Sequence, residues 1–336
     1  MLCTHLLQMP TRIPIWAGRS IEFATEDDVH LALHVLYGLH YDGFAKVDDG
    51  WEWQPSLLNL RQGLESKFLG SLINDSELYD AEPGCASDEH DVVRRVKRLI
   101  GAAGGPSLSS FLIEDGSADH MREFIVHRSI YQRKEADPHT WAIPRLRGRA
   151  KSALVRLQVD EYGGGVAGAM HAELFAETMR AFDLDPSPGA YINQVPWVTL
   201  ATDNLVSLLG LHRRWRGALV GHLAAFEMTS VVPMGRYAQA VRALIGGDVG
   251  AEFYDVHVAA DVEHEAIAIN ELIPGLAETD RSALADVPFG VAALMAVEGR
   301  FSRHLLNAWA RHESSLVHRA DAPNTPIDDR LSLLSA

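Results

Sequence analysis

The stretch that decides the fold is DEYGGGVAGAMHAELFAETMRAFDLD, residues 160–185, in which Glu161 and His171 stand on either side of a glycine run. Helical sequence precedes the glycines in RLRGRAKSALVRLQVDEY, and the pattern predicts that it continues after them in AGAMHAELFAETMRAF. On an ideal helix, ten residues rise about 15 Å and turn about 80° out of alignment, so a straight helix would hold these two side chains apart. The glycines at 163–165 permit a bulge or looped-out turn that shortens the path. A plain loop between two separate helices is the alternative.

Helical periodicity recurs along the chain, whereas alternating runs bounded by hairpin turns are poor. Thr25 precedes three acidic residues and predicts a helix start, and Asp88 or Asp91 predicts another. The pattern therefore predicts an all-α protein. Its predicted helices include a long amphipathic one over 202–230 closed by Pro233, one over 234–245 that ends at Gly246-Gly247, one over 251–273 that ends at Pro274, and a last one over 287–312.

The composition is that of an ordinary globular protein, with 336 residues, 47% hydrophobic and 22% charged. A formal net charge of -15 argues against nucleic-acid and anionic-lipid partners, because both need a basic face. Only two cysteines occur, Cys3 and Cys85, so a reducing cytoplasm is expected. Neither a signal peptide nor an apolar run long enough to span a membrane is recognised.

The long, clean helical patterns begin near Pro144. We therefore predict an N-terminal helical extension over 1–139 packed on a core bundle over 140–319. Residues 78–88 are predicted to form a loop, and a Pro- and Asp-rich tail follows over 320–336. The whole is expected to form one compact domain.

The strongest chemical signal is the run of His257, Asp261 and His264. Offsets of four and seven residues place these side chains on one helix face, and two imidazoles beside one carboxylate form a plausible half of a metal site. A polar helix face with hydrogen-bonded histidines is the alternative, and the spacing alone does not decide between them.

Glu227 lies in the apolar segment LVGHLAAFEMTS and is expected to be partly buried. A buried carboxylate without a partner is costly, and a cation, an arginine or a hydrogen-bond network would each relieve that cost. Three clustered carboxylates would repel one another by a few kcal/mol per pair at an effective dielectric of ~20. Two ferrous ions would bring four positive charges against the three negative ones. Carboxylate and imidazole ligands together suit iron or manganese better than zinc.

The combined pattern resembles the haem-oxygenase-like diiron oxidases and oxygenases, also called iron-containing redox enzymes. The segment at 160–185 is similar to that family's first ligand segment, and YDVHVAADVEHEA at 254–266 is similar to its third. The resemblance covers residues 140–312 well and the N-terminal third more loosely. It implies a haem-oxygenase-like bundle of about seven core helices without haem. It also implies that the iron ligands are Glu161, His171, Glu227, His257, Asp261 and His264.

The same resemblance implies two Fe(II) ions, with O2 as the co-substrate. It implies oxidation of a small amino-acid-like, amine or carboxylate substrate, by N-oxygenation or by oxidative cleavage. Family members are commonly homodimers that serve natural-product pathways, so a homodimer is expected here. In the working assignment, Glu161, His171 and one histidine of the third segment hold one iron. Glu227, Asp261 and the other histidine hold the second, and a carboxylate bridges the two.

Several alternatives are weighed against this function. No glutamate has a histidine three residues later, which argues against the ferritin-like four-helix family. No GxSxG elbow, HExxH motif, dinucleotide fingerprint or phosphate loop occurs. Two other interpretations stay open: an iron-independent enzyme of the same fold, and a metal-free helical interaction protein whose buried acids and imidazoles pair with one another.

Overall fold

The computed structural model describes residues 2–13, 20–74, 88–105 and 107–317, and over these residues the protein is helical, with no strand. This confirms the predicted all-α fold class. The predicted tail and the predicted loop, except for Asp88, lie outside the described residues. The helices are α1 (Leu2–Leu6), α2 (Glu26–Gly38), α3 (Pro55–Ile73), α4 (Glu89–Ala102), α5 (Leu108–Glu114), α6 (Ala118–Gln132), α7 (Asp137–Thr140), α8 (Gly148–Glu161), α9 (His171–Ala181), α10 (Trp197–Leu211), α11 (Arg216–Thr229), α12 (Val231–Ile245), α13 (Glu252–Ile267), α14 (Ile273–Thr279), α15 (Arg281–Leu284) and α16 (Val287–Ala310).

The helix ends that the sequence predicts from capping residues are confirmed. Thr25 forms a capping box at the start of α2, where its Oγ1 accepts from Asp28 N at 3.2 Å and its own N–H donates to Asp28 Oδ2. Asp88 caps α4 by accepting from Asp91 N at 2.8 Å. Gly246, with a φ of 76°, ends α12 in the left-handed conformation that glycine favours.

Replacing Thr25 with alanine is expected to lower the free energy of unfolding by about 1 kcal/mol, because the first turn of α2 loses its side-chain acceptor. Urea or thermal unfolding measures the change. Thr25→Ser keeps a hydroxyl and should retain most of the stability. An equal loss in both variants would show that the capping bond is not what Thr25 contributes.

The prediction of one long helix over 202–230 is wrong. The chain forms α10 and α11 instead, because His212 adopts an extended backbone (φ −99°, ψ 112°) and a 3-10 turn, Arg213–Trp215, follows it. Pro233 does not close a helix either. It lies in the first turn of α12, where the N–H that proline lacks would have no intrahelical acceptor.

The predicted helix end at Pro274 is also wrong. The chain leaves α13 through a π-helical turn, Ala268–Leu272, and continues into α14, with Pro274 at its second position. A π turn widens the helix and pairs residues five apart, so the continuing helix can accommodate the proline ring. This widened turn follows directly after the segment that carries His257, Asp261 and His264.

The centre of the bundle is the crossing of α11 and α16, whose backbones approach unusually closely. A Cβ atom on Gly290 would lie 1.8 Å from the carbonyl oxygen of Ala218, and one on Gly221 would lie 2.0 Å from that of Val287. The crossing therefore requires glycine on both helices. The helical stretch Arg281–Ala310 is long and apolar enough to cross a membrane, but 67% of its most apolar window is buried inside the protein.

The N-terminal helices pack on the bundle through α10, which contacts α2, and through α16, which contacts α4. Leu33 and Phe68 belong to the same buried apolar cluster as Leu294 of α16. Further along, α6 packs against α9 and α10. The division of the chain at residues 139 and 140 stays a prediction.

Candidate metal centre

The first segment of the centre is the connection between α8 and α9. Glu161 is the last residue of α8 and His171 the first of α9, and Glu161 Oε2 lies 2.9 Å from His171 Nδ1. The expectation that helix continues directly after the glycines is wrong, since residues 166–170 are not helical. The chain forms the alternative, a loop between two separate helices, and this loop brings the two side chains together.

The loop depends on backbone conformations that glycine adopts readily. Gly163, Gly164 and Gly165 have φ angles of 61°, 62° and 77°, which turn the chain out of α8 and back towards its end. Glu173 then fixes the start of α9, because its Oε2 accepts from the backbone N–H groups of Gly168 at 2.9 Å and Met170 at 3.3 Å.

The second and third segments are α11 and α13, which contact each other. Glu227 projects from the last turns of α11 and is buried, as are His257, Asp261 and His264 on α13. His264 Nδ1 lies 3.2 Å from Glu227 Oε2 and 3.4 Å from Asp261 Oδ1. The rings of His171 and His257 are 4.3 Å apart. All six side chains singled out from the sequence therefore meet in one buried cluster.

Two of the imidazoles are held from outside the cluster. His257 Nδ1 donates to the carbonyl oxygen of Phe253 at 2.6 Å, which leaves its Nε2 facing inward. His264 Nε2 lies 3.0 Å from Asp160 Oδ2 and leaves Nδ1 facing inward. Such outer partners fix the orientation and tautomer of metal-binding histidines. Sequence reasoning named neither partner, although Asp160 directly precedes Glu161.

Glu135 is a member of the cluster that the sequence analysis missed. It lies in the turn after α6, is buried, and places Oε1 3.4 Å from His257 Nε2. Its surroundings, QRKEADPH, are typical of a solvated connector, and no spacing in the sequence relates it to the other ligands.

The potential ligand atoms fall into two groups, in each of which all atoms lie within 4.8 Å of one another. One group comprises Glu135, Glu161, His171 and His257, and the other comprises Glu161, Glu227 and His264. Glu161 belongs to both. Asp261 lies beside the second group, through its contact with His264.

The cluster fits a pair of divalent cations by charge and by its unsatisfied atoms. When all four are ionised, its carboxylates carry four negative charges, which two divalent cations would balance. Two buried carboxylate oxygens have neither a hydrogen bond nor an ion-pair contact within the described protein: Glu135 Oε2 and Asp261 Oδ2. Leaving such polar atoms unsatisfied costs roughly 1–3 kcal/mol each, more for charged groups, and a cation would remove that cost.

The environment shifts the pKa values of the carboxyl groups in different directions. Burial raises the pKa of Glu227 to about 7 and also raises the pKa of Glu135. Burial acts in the same sense on Glu161, but the adjacent imidazole of His171 overcomes it and lowers the pKa of Glu161 to about 2. Among these three glutamates, Glu161 is therefore the one held in its ionised form.

The carboxylates of the cluster raise the pKa values of two of its imidazoles. Burial opposes a charge on both rings, but Glu135 raises the pKa of His257 to about 10. Asp261 and Glu227 raise the pKa of His264 to about 11. The cluster is thus an electronegative pocket that stabilises cations.

Together these features define a haem-oxygenase-like helical protein with a buried carboxylate-imidazole cluster. Residues 122–299, more than half of the chain, match the family model described as iron-containing redox enzyme, and the chain belongs to that family. The family resemblance that the sequence indicates is thereby confirmed.

A curated relative is a nitrosourea synthase from Streptomyces achromogenes subsp. streptozoticus. It is 26% identical over 222 residues, which are 65% of this chain and 46% of that protein. The match therefore spans less than half of the relative's length.

Proposed function

We propose that the protein is an O2-dependent non-haem diiron oxygenase that oxidises a small amino-acid-like, amine or carboxylate substrate. The reaction is N-oxygenation or oxidative cleavage of a C–C or C–N bond. The observation that carries the proposal is the pair of ligand groups that share Glu161. A family of iron-containing redox enzymes and a relative named for nitrosourea synthesis support it.

In this proposal Glu135, Glu161, His171 and His257 hold one iron. Glu161, Glu227, Asp261 and His264 would hold the other, so that Glu161 is common to both ligand sets. When bound, the ferrous pair supplies the electrons that reduce dioxygen. The chain's own groups set the geometry: Phe253 O and Asp160 Oδ2 each take the outer N–H of an imidazole, so that the opposite nitrogen offers its lone pair to the cation.

Aromatic side chains pack around the metal centre. Phe175 packs edge-on against Phe253 with ring centroids 5.0 Å apart, and Tyr131 stacks on Phe226 at 5.7 Å. Such walls exclude water, which strengthens electrostatic interactions inside and protects reactive species from hydrolysis.

Anaerobic titration with Fe(II), followed by exposure to O2, tests the proposal. We expect uptake of about two irons per chain and a transient visible absorption band with oxygen consumption. His257→Gln should reduce the uptake. His127→Gln is the matched control, since His127 is equally buried but hydrogen-bonds to Thr199 and Ser315. Failure of the unmodified protein to take up iron would overturn the proposed function.

Replacing Asp160 with asparagine is expected to weaken iron binding at the His264 site by about 10- to 100-fold, because the imidazole loses its anionic outer partner. The folded protein should be little affected, since the Asp160 side chain is 54% exposed. Ferrous titration under anaerobic conditions measures the affinity. Glu263→Gln, at an exposed carboxylate paired with Arg156, should leave it unchanged, and equal effects in both variants would contradict the role of Asp160.

The setting of this activity is part of the proposal. A natural-product pathway, a cytoplasmic location and a homodimer are the expectations that the family resemblance and the composition raise. Size measurement by light scattering tests the dimer, and the neighbouring genes test the pathway.

A further inference from the structure

A second, larger cavity adjoins the metal centre. It has a volume of about 320 Å³, against about 50 Å³ for the cavity within the cluster. That volume lies near the lower end of the range for small-molecule sites. The two cavities share four lining residues, Gln132, Phe226, Ser230 and Met234. A molecule in the larger cavity would therefore reach the wall of the centre.

An ion pair between Arg128 and Glu298 lines this cavity. Arg128 Nη1 and Nη2 donate to Glu298 Oε1 and Oε2 at 2.9 and 2.7 Å, and the two side chains remain 15% and 20% exposed. The guanidinium also lies 4.5 Å above the ring of Phe301, which holds it in place. A guanidinium has five N–H donors, of which Glu298 takes two, so further donors remain for a ligand carboxylate.

Two other buried polar atoms of the cavity wall have no partner among the described residues. Gln132 is 7% exposed and Tyr254 is 2% exposed, and neither Gln132 Oε1 nor the Tyr254 hydroxyl has a hydrogen-bond partner within the described protein. A buried group left in this state costs roughly 1–3 kcal/mol. A bound ligand with an N–H donor would satisfy the Gln132 oxygen.

These groups follow one another along α6 towards the centre. Arg128, Gln132 and Glu135 are spaced by four and three residues, which places the first two on one helix face and the third in the turn that follows. Four residues of helix advance about 6 Å. From the cavity towards the metal centre, the chain thus places a charged pair first, then an amide with an unpartnered oxygen, and then a member of the metal cluster.

We propose that this cavity binds a zwitterionic amino acid whose carboxylate meets Arg128 and whose α-ammonium meets Glu298. Gln132 Oε1 accepts an N–H from the end of the molecule that faces the centre. The proposal rests on the proposed function only in treating the cluster as the reactive centre.

Binding of the common L-amino acids to the purified protein tests the proposal, first by thermal shift and then by calorimetry on the tightest binder. We expect binding of an amino acid with N–H groups in its side chain. The corresponding amine without the carboxylate, and the acid without the α-amino group, should each bind at least 10-fold more weakly. Absence of binding by every amino acid, or truncated analogues that bind as tightly as the intact amino acid, would overturn the proposal.

Variants separate ligand binding from a purely structural ion pair. Arg128→Lys should weaken amino-acid binding at least 10-fold, since lysine lacks the planar fork. Arg216→Lys is the matched control, because Arg216 pairs with Asp280 away from the cavity. Gln132→Leu removes the amide oxygen that the proposal assigns to the ligand N–H, so it should weaken binding of the amino acid. Loss of stability without loss of binding in Arg128→Lys would identify a structural ion pair only.

Iron uptake, measured in the same samples, distinguishes failure of the cavity assignment from failure of the proposed function. A protein that takes up two irons but binds no amino acid contradicts the cavity assignment alone. A protein that takes up no iron contradicts the proposed function, whatever it binds in the cavity.

Discussion

Replacing Glu161 with alanine is expected to abolish iron uptake at both sites, from about two irons per chain to fewer than one. The reason is that Glu161 is common to both groups of ligand atoms, whereas every other member belongs to one. Its removal also leaves His171 without the carboxylate that lies 2.9 Å away. Iron analysis after anaerobic reconstitution measures the loss, and oxygen consumption should fall with it.

Variants at the unshared ligands are the controls for this result. Asp261→Ala should lose mainly the iron of the Glu227 and His264 group, and Glu135→Ala mainly the other. Each should therefore retain about one iron per chain. If Glu161→Ala retained as much iron as either control, the assignment of Glu161 to both sites would be wrong. Two tightly held irons in Asp261→Ala would remove Asp261 from the ligand set.

Replacing Gly163 with alanine is expected to destabilise the protein by about 2–5 kcal/mol and to displace His171. Gly163 has a φ of 61°, which costs a residue with a side chain about 1–2 kcal/mol. A Cβ atom there would also lie 2.4 Å from the carbonyl carbon of Ala169, and overpacking of this kind costs about 1–3 kcal/mol. Unfolding measurements and ferrous titration at the His171 site report the two effects.

Gly164→Ala is the matched control. Its φ of 62° is nearly the same, but no atom lies within 4 Å of its added Cβ. This variant should lose only the backbone contribution of about 1–2 kcal/mol and should keep both irons. Equal effects of the two substitutions on iron affinity would show that the contact with Ala169 does not position His171.

Much of the architecture could be predicted because local chemistry determines it. Thr25, Asp88 and Gly246 act within a few residues of their own positions, so the sequence reveals the helix ends that they form. The break at His212 and the passage through Pro274 were not predictable in this way. Both depend on how neighbouring helices pack, and a π turn leaves no distinct pattern of hydrophobic residues.

The centre was predictable where its members share a helix or flank a glycine run. His257, Asp261 and His264 have helical spacing, and Glu161 and His171 have glycines between them. Glu135 has neither feature, because it lies in a turn among charged residues and reaches the cluster through tertiary packing. A ligand supplied by an irregular segment is visible only once the helices around it are assembled.

The burial of α16 affects how the chain folds during its synthesis. Among the described residues, the stretch that ends with this helix is the single helical stretch long and apolar enough to cross a membrane, and α16 is the last of the described helices. Domains form as the ribosome releases them, starting from the N-terminus. The glycine-lined surface of α11 has therefore already been synthesised when α16 emerges, and so has α4. The nascent protein can bury α16 at once, which shortens the time during which chaperones or the insertion machinery would compete for it.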